Sequence, residues 1–116
     1  MYTINITQDI AITAVQAARS KKALDITVLD IRDVSILADY FIICSGNSTT
    51  QVKSIADEIK VKMQEAGFLL HHVEGYKEEK WILLDYRDVV IHVFHSRERE
   101  FYNLEKLWAD AKVLAY

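Results

Sequence analysis

Apolar residues recur along this chain at two spacings, and the changes between them divide it into elements. Over 7–21, Ile10, Ala14 and Ala18 return on one face at helical spacing; Thr7 can cap the first turn and Asp9 complements its positive end. Ser20-Lys21-Lys22 ends that helix. Over 26–31 the spacing drops to two, with Ile26, Val28 and Asp30 on one face and Thr27, Leu29 and Ile31 on the other, as in a strand. Residues 33–39 read as a connection with room for one helical turn. Residues 40–44, Tyr-Phe-Ile-Ile-Cys, are apolar without alternation, the pattern of a strand covered on both faces.

The most regular helix is expected over 48–66. Ser48-Thr49-Thr50-Gln51 has the capping-box pattern, and Val52, Ile55, Ala56, Ile59 and Met63 form one stripe. Gly67 supplies a left-handed stop, with Phe68 placed to fold back on Met63. Three further strands follow at 68–73, 80–86 and 89–94. Only Arg87-Asp88 separates the last two, so they should pair as an antiparallel hairpin. Such a turn favours residues that tolerate positive φ, and arginine does not; a longer turn or local strain at Arg87 is expected. From Ser96 a C-terminal helical region puts Phe101, Leu104, Trp108 and Ala111 on one side. The order α-β-β-α-β-β-β-α gives an α/β fold, one domain over 1–116 with a mixed five-stranded sheet packed by helices. Strand 40–44, the helix and strand 68–73 should form a right-handed parallel crossover.

Composition narrows the classes. A chain of 116 residues has room for one core. No apolar run reaches the roughly 18 residues of a membrane span, and residues 1–12 lack the basic start and apolar stretch of a secretory signal. The one cysteine, Cys44, lies in an apolar strand, where it reads as a small buried hydrophobe in a reducing, cytoplasmic setting. A net charge of −3 and a pI of about 5.8 lack the basic excess of a domain that grips nucleic acid directly. The charge suits a partner that is itself basic.

Candidate chemistry is sparse. The turn Ser45-Gly46-Asn47-Ser48 joins a strand to a helix, where amides can bind phosphate, but it lacks the lysine and second glycine of a P-loop. The next strand, 68–73, has none of the aspartates that hold metals in small nucleotidyltransferases. His71 and His72 are neighbours and point to opposite faces of a strand; His92 and His95, oddly spaced, diverge as well. With Cys44 buried elsewhere, no metal site is expected. A buried cysteine is also a poor nucleophile. Glu74, Glu78, Glu79, Asp85 and Asp88 read as a solvated acidic face. No cofactor and no catalysis are expected.

What remains is aromatic surface. Tyr76, Trp81 and Tyr86 stand on or beside the hairpin, and on 80–86 the faces are Trp81, Leu83, Asp85 and Ile82, Leu84, Tyr86. A small sheet with few helices cannot be covered everywhere. An aromatic left open is an anchor for a protein partner, and the acidic neighbours would steer a basic one. The residues favour a binding module over an enzyme.

Over 23–109 the chain also resembles the Iojap-like ribosomal silencing factors. The resemblance is carried by Ala23-Leu24-Asp25-Ile26; Ala38-Asp39-Tyr40-Phe41-Ile42-Ile43-Cys44-Ser45-Gly46-Asn47-Ser48; Gln51-Val52 with Ser54-Ile55-Ala56-Asp57; Glu74-Gly75; Trp81-Ile82-Leu83-Leu84-Asp85-Tyr86; Asp88-Val89-Val90-Ile91-His92-Val93-Phe94; and Tyr102-Asn103-Leu104-Glu105-Lys106-Leu107-Trp108. It implies a nucleotidyltransferase-like fold without that activity. It also implies binding to the large ribosomal subunit through ribosomal protein L-fourteen, which blocks joining of the small subunit and lowers translation when nutrients are short. The expected contact residues are Trp81, then Leu84 and Tyr86, rimmed by Asp85 and Asp88, with Tyr76 beside them. Arg87 departs from the family pattern, which usually has glycine there. The alternatives are a divergent nucleotidyltransferase using Gly46 and Ser48, a large-subunit assembly factor, and a homodimer pairing through Trp81 and Tyr86.

Overall fold

The computed structural model describes residues 6–114. The first helix, α1 (Ile6–Ser20), buries Ile10, Ala11, Ala14, Val15, Ala17 and Ala18, small side chains that let it lie close to its neighbours. It starts one residue before the expected cap Thr7, and the residues ahead of it lie outside those described. Strand β1 (Leu24–Asp30) pairs antiparallel with β2 (Tyr40–Gly46), and every residue of β2 is buried, as its unbroken apolar run requires.

Helix α2 (Thr49–Glu65) begins where the capping pattern places it. The Ser48 hydroxyl accepts the Gln51 N–H at 3.1 Å. The reciprocal arm is displaced by one residue: Gln51 Oε1 accepts from the Asn47 N–H at 2.7 Å. The Gln51 amide also donates to the Lys22 carbonyl at 3.2 Å, tying the end of α1 to the start of α2. Gly67 takes φ +86°, and the Phe68 N–H returns to the Met63 carbonyl at 2.9 Å.

Several expectations are corrected in the second half. Residues 68–70 are not strand; the third strand, β3, is the short edge His72–Glu74, while Phe68 and Leu70 pack against the core below α2. Polar His72 and Glu74 suit an edge, whereas β5 (Val89–His95), apolar on both faces, takes the place beside β2. The parallel neighbour of β2 is therefore β5, and β3 runs the same way at the far edge beyond β4 (Trp81–Asp85). The C-terminal region is not one helix either. Asn103, at φ +46°, ends α3 (Ser96–Tyr102) and caps α4 (Leu104–Leu107). The chain then adds β6 (Lys112–Leu114) to the free edge of β1. Asparagine tolerates the left-handed region better than its neighbours, which fixes the break at this position. Among the described residues the sheet thus has six strands, in the order β3-β4-β5-β2-β1-β6, one more than expected.

The hairpin β4–β5 is closed by the two-residue loop Arg87-Asp88 with Arg87 at φ +70°. The strain expected there is present, and the Asp85 carboxylate offsets part of it by accepting the Arg87 N–H at 2.7 Å.

The two faces of the sheet are treated unequally. Helices α1 and α2 lie on one face, over Val28, Tyr40, Ile42, Cys44, Ile82, Leu84, Tyr86, Val89, Ile91 and Val93. The opposite face holds a smaller cluster, Leu29, Ile31, Ala38, Phe41, Ile43 and Phe94, joined by the half-buried Trp81, Val90, Leu104, Trp108 and Ala111. Among the described residues, the short C-terminal segment and the ends of the 31–38 loop lie over it.

Candidate functional site

Alternation along β4 and β5, with the register set by the two-residue loop, brings the open face together. Trp81 lies opposite Phe94, Leu83 opposite His92, and Asp85 opposite Val90. On the other side of β5, Phe41 pairs with Val90 and Ile43 with His92. Helix α3 contributes Tyr102, and Trp108 follows α4.

The rings form a connected layer. Trp81 stacks on Phe94 with centroids 4.7 Å apart and meets Tyr102 at 4.8 Å. Phe41 sets its ring edgewise to His92 at 4.8 Å and to Trp108 at 5.5 Å. The Trp81 indole Nε1–H donates to His92 Nδ1 at 3.1 Å. His92 is only 4% exposed, and burial pushes its imidazole down to about 4, so it is neutral at pH 7. Since Nδ1 accepts, the ring proton sits on Nε2, which has no hydrogen-bond partner among the described residues.

Around this layer apolar side chains stand in solvent. Phe101 is 81% exposed, and Tyr102 and Leu107 are open beside it. The loop between Ile31 and Ala38, which both pack in this cluster, carries the exposed Val34, Ile36 and Leu37. At the hairpin end the rim turns acidic. Asp88 is exposed, and its carbonyl accepts the Asp39 N–H at 2.8 Å, which sets Asp39 beside it. Asp85 is half-buried on the open face.

The expected contact residues separate in this geometry. Trp81 and Asp85 share the open face, with Asp88 at its end. Leu84 and Tyr86 do not: their parity on the strand turns them under the helices, where they are 0% and 5% exposed. Burial holds the Tyr86 phenol at about 12. Neither side chain is available to a partner, which corrects their assignment to the contact surface. Tyr76 is also elsewhere. Its hydroxyl donates to Asp57 on α2 at 2.7 Å, and the ammonium groups of Lys53 and Lys60 lie about 5 Å over its ring. His92, Phe94, Phe41 and Tyr102 were missed by sequence reasoning. The first two were within reach, since a two-residue loop at 87–88 places them on the face of Trp81.

The other candidates have structural partners. Arg99 donates to Ser45 Oγ at 2.9 Å, to Thr27 Oγ1 and to Glu105, while Ser96 donates to the Gly46 carbonyl at 3.1 Å. These bonds bind the strand-to-helix turn to α3. Gly46 lies so close to α2 that an added Cβ would meet the Val52 nitrogen at 3.0 Å. His95 caps α3 through the Arg97 N–H, and His71 and His72 are exposed. Cys44 is fully buried, with its thiol pushed up to about 12. Among the described residues no three His, Cys, Asp or Glu side chains are grouped to hold a metal ion.

Fold and site together define a class: a small α/β domain with helices on one sheet face and an open aromatic layer on the other. Residues 5–115 match the family described as "Ribosomal silencing factor during starvation", and the chain belongs to that family. It is 52% identical over 98 residues to the ribosomal silencing factor of Bacillus subtilis, covering 84% of this chain and 83% of that one. The ribosomal silencing factor of Halalkalibacterium halodurans is 48% identical over 104 residues, 90% of this chain and 89% of that one. A crystal structure of a Chromobacterium violaceum protein superposes with a TM-score of 0.86 at 36% identity, covering 88% and 85% of the two chains.

Proposed function

We propose that this protein binds the large ribosomal subunit through ribosomal protein L-fourteen, occupies the surface the small subunit must meet, and so lowers translation when nutrients are short. Family membership supports a ribosome-associated silencing role. The observation that carries the reading further is the open aromatic layer centred on Trp81. Half-buried rings already held in place are the side chains that dominate protein interfaces. An acidic end formed by Asp85, Asp88 and Asp39 complements a basic ribosomal protein and sets the register of docking.

A contact of about 800 Å² on each partner is enough for a specific complex, and a body of 13.4 kDa placed at the subunit interface then acts as a wedge. This requires no cofactor and no turnover, and it operates in the cytoplasm, where the subunits meet. No helix among the described residues is long and apolar enough to cross a membrane. A second copy paired through the same layer would cover Trp81 and compete with the ribosome.

The test is cosedimentation with separated subunits, wild type beside Trp81→Ala. Binding to the large subunit alone, reduced at least tenfold in the variant, is the expected result. Unchanged binding by the variant would move the contact elsewhere, and no binding by wild type to either subunit would overturn the reading.

A further inference from the structure

We infer that His92 is a positioning residue for large-subunit binding: it fixes the orientation of the Trp81 indole through the Nε1–H···Nδ1 bond, so that the open face is set before the partner arrives. The inference rests on the proposed function and assigns a second-line role within the same face.

The rings around Trp81 fix its plane but not its direction. Stacking on Phe94 and contact with Tyr102 tolerate a reversal of the indole within that plane, because apolar contact is not directional. A hydrogen bond is directional. The 3.1 Å bond to His92 Nδ1 selects the orientation that turns Nε1 toward the buried histidine. His92 can serve as a fixed acceptor because it is itself immobile. It lies in β5 between β4 and β2, paired with Leu83 and Ile43, with the Phe41 ring edge against it.

Stability alone does not explain a histidine at this position. The net gain from one neutral hydrogen bond is smaller than the penalty for a buried donor left unmade. Among the described residues His92 Nε2–H is such a donor. A leucine on this face, among Phe41, Phe94 and Trp81, would carry no such penalty of its own and would leave the half-buried Trp81 Nε1–H to turn toward solvent. The residue therefore trades stability for a defined Trp81, as expected where a side chain supports a binding site. Its contribution to binding is the side-chain freedom that Trp81 no longer loses on docking.

The experiment compares wild type, His92→Leu and His92→Asn. Leucine removes the acceptor while roughly keeping the volume; the Asn oxygen can stand where Nδ1 stood. Two readouts are taken: the Trp81 indole N–H resonance, distinguished from that of Trp108 with a Trp108→Phe variant, and the dissociation constant for large subunits. His92→Leu should shift the Trp81 indole resonance upfield and weaken large-subunit binding roughly threefold to tenfold. His92→Asn should restore most of both. In a Trp81→Phe background, which has no donor, His92→Leu should cost nothing more; this comparison also serves if either single variant folds poorly. Wild-type affinity in His92→Leu, an unmoved indole resonance, or equal loss in Leu and Asn would each overturn the positioning role while leaving the function standing. Failure of wild type itself to bind large subunits would overturn the function and this inference together.

Discussion

Acid should destabilise this protein through His92 before it reaches Asp30. In the folded chain the imidazole is 4% exposed, with Phe41 and Trp81 against it, and burial holds it neutral down to about pH 4. In the unfolded chain it takes up a proton near its ordinary value of 6.5. The unfolded state thus binds a proton that the folded state refuses, and stability falls as the pH drops. The contribution is complete above about 6.5 and is lost progressively between 6.5 and about 4. At about 1.4 kcal/mol per pH unit, that gap corresponds to about 3 kcal/mol. Domains of this size are stable by only about 5–15 kcal/mol in total, so the loss is large.

Asp30 titrates in a separate window. The hydrogen bond from Arg32 holds its carboxyl below the ordinary value, so its contribution is present above about 3.8 and is lost at more acid pH. Urea unfolding followed by circular dichroism at pH 7, 6, 5 and 4, on wild type and His92→Leu in parallel, isolates the histidine because groups common to both cancel. The variant should gain on wild type by about 3 kcal/mol from pH 7 to pH 4, with unchanged urea dependence. A difference constant to within about 0.5 kcal/mol across that range would refute a buried, neutral His92.

Other consequences follow from the turns and the helix side. Arg87→Gly relieves the left-handed φ of +70° and should raise the urea midpoint by the equivalent of about 0.5–1 kcal/mol. Gly75→Ala should do the opposite: with φ at +76° and an added Cβ 1.9 Å from the Trp81 carbonyl, the β3–β4 connection cannot close, and a loss of about 3 kcal/mol or more is expected in thermal unfolding. Tyr76→Phe removes the bond to Asp57 and should cost about 1 kcal/mol in the same assay. It should leave large-subunit cosedimentation unchanged, because Tyr76 is docked on α2.

The fold was legible wherever one local rule acted alone. The apolar stripe and capping serine of α2, the unbroken run of β2 and the hairpin at Arg87-Asp88 each reappear in the structure. The rest depends on which elements meet. The parity of β4 separates Trp81 from Leu84 and Tyr86, yet parity does not say which set faces helices; α1 and α2 both settle on the side of Leu84. The C-terminal pattern is a sharper case. Leu104, Trp108 and Ala111 do share one cluster, as their helical spacing suggested, while Phe101, expected with them, stands in solvent; the chain delivers the three through a turn at Asn103, four residues of α4 and the approach to β6. Burial constrains which side chains go inward more tightly than it constrains the backbone that carries them.

Where a local rule is broken, the break has a place in the molecule. Position 92 lies in a strand otherwise read as Val89-Val90-Ile91 and Val93-Phe94, and a histidine there is the one polar interruption. Spacing alone treats it as a failed metal ligand. The structure gives it the Trp81 indole as a partner and, among the described residues, leaves its other nitrogen unpaired. Arg87, likewise ill suited to its φ, closes the same hairpin, at the acidic end of the same face. Sequences tend to agree with their fold at every level except where a site demands otherwise. Two disagreements on one hairpin, one beneath the open aromatic layer and one at its rim, mark this face of the sheet as the part of the molecule shaped for something other than its own stability.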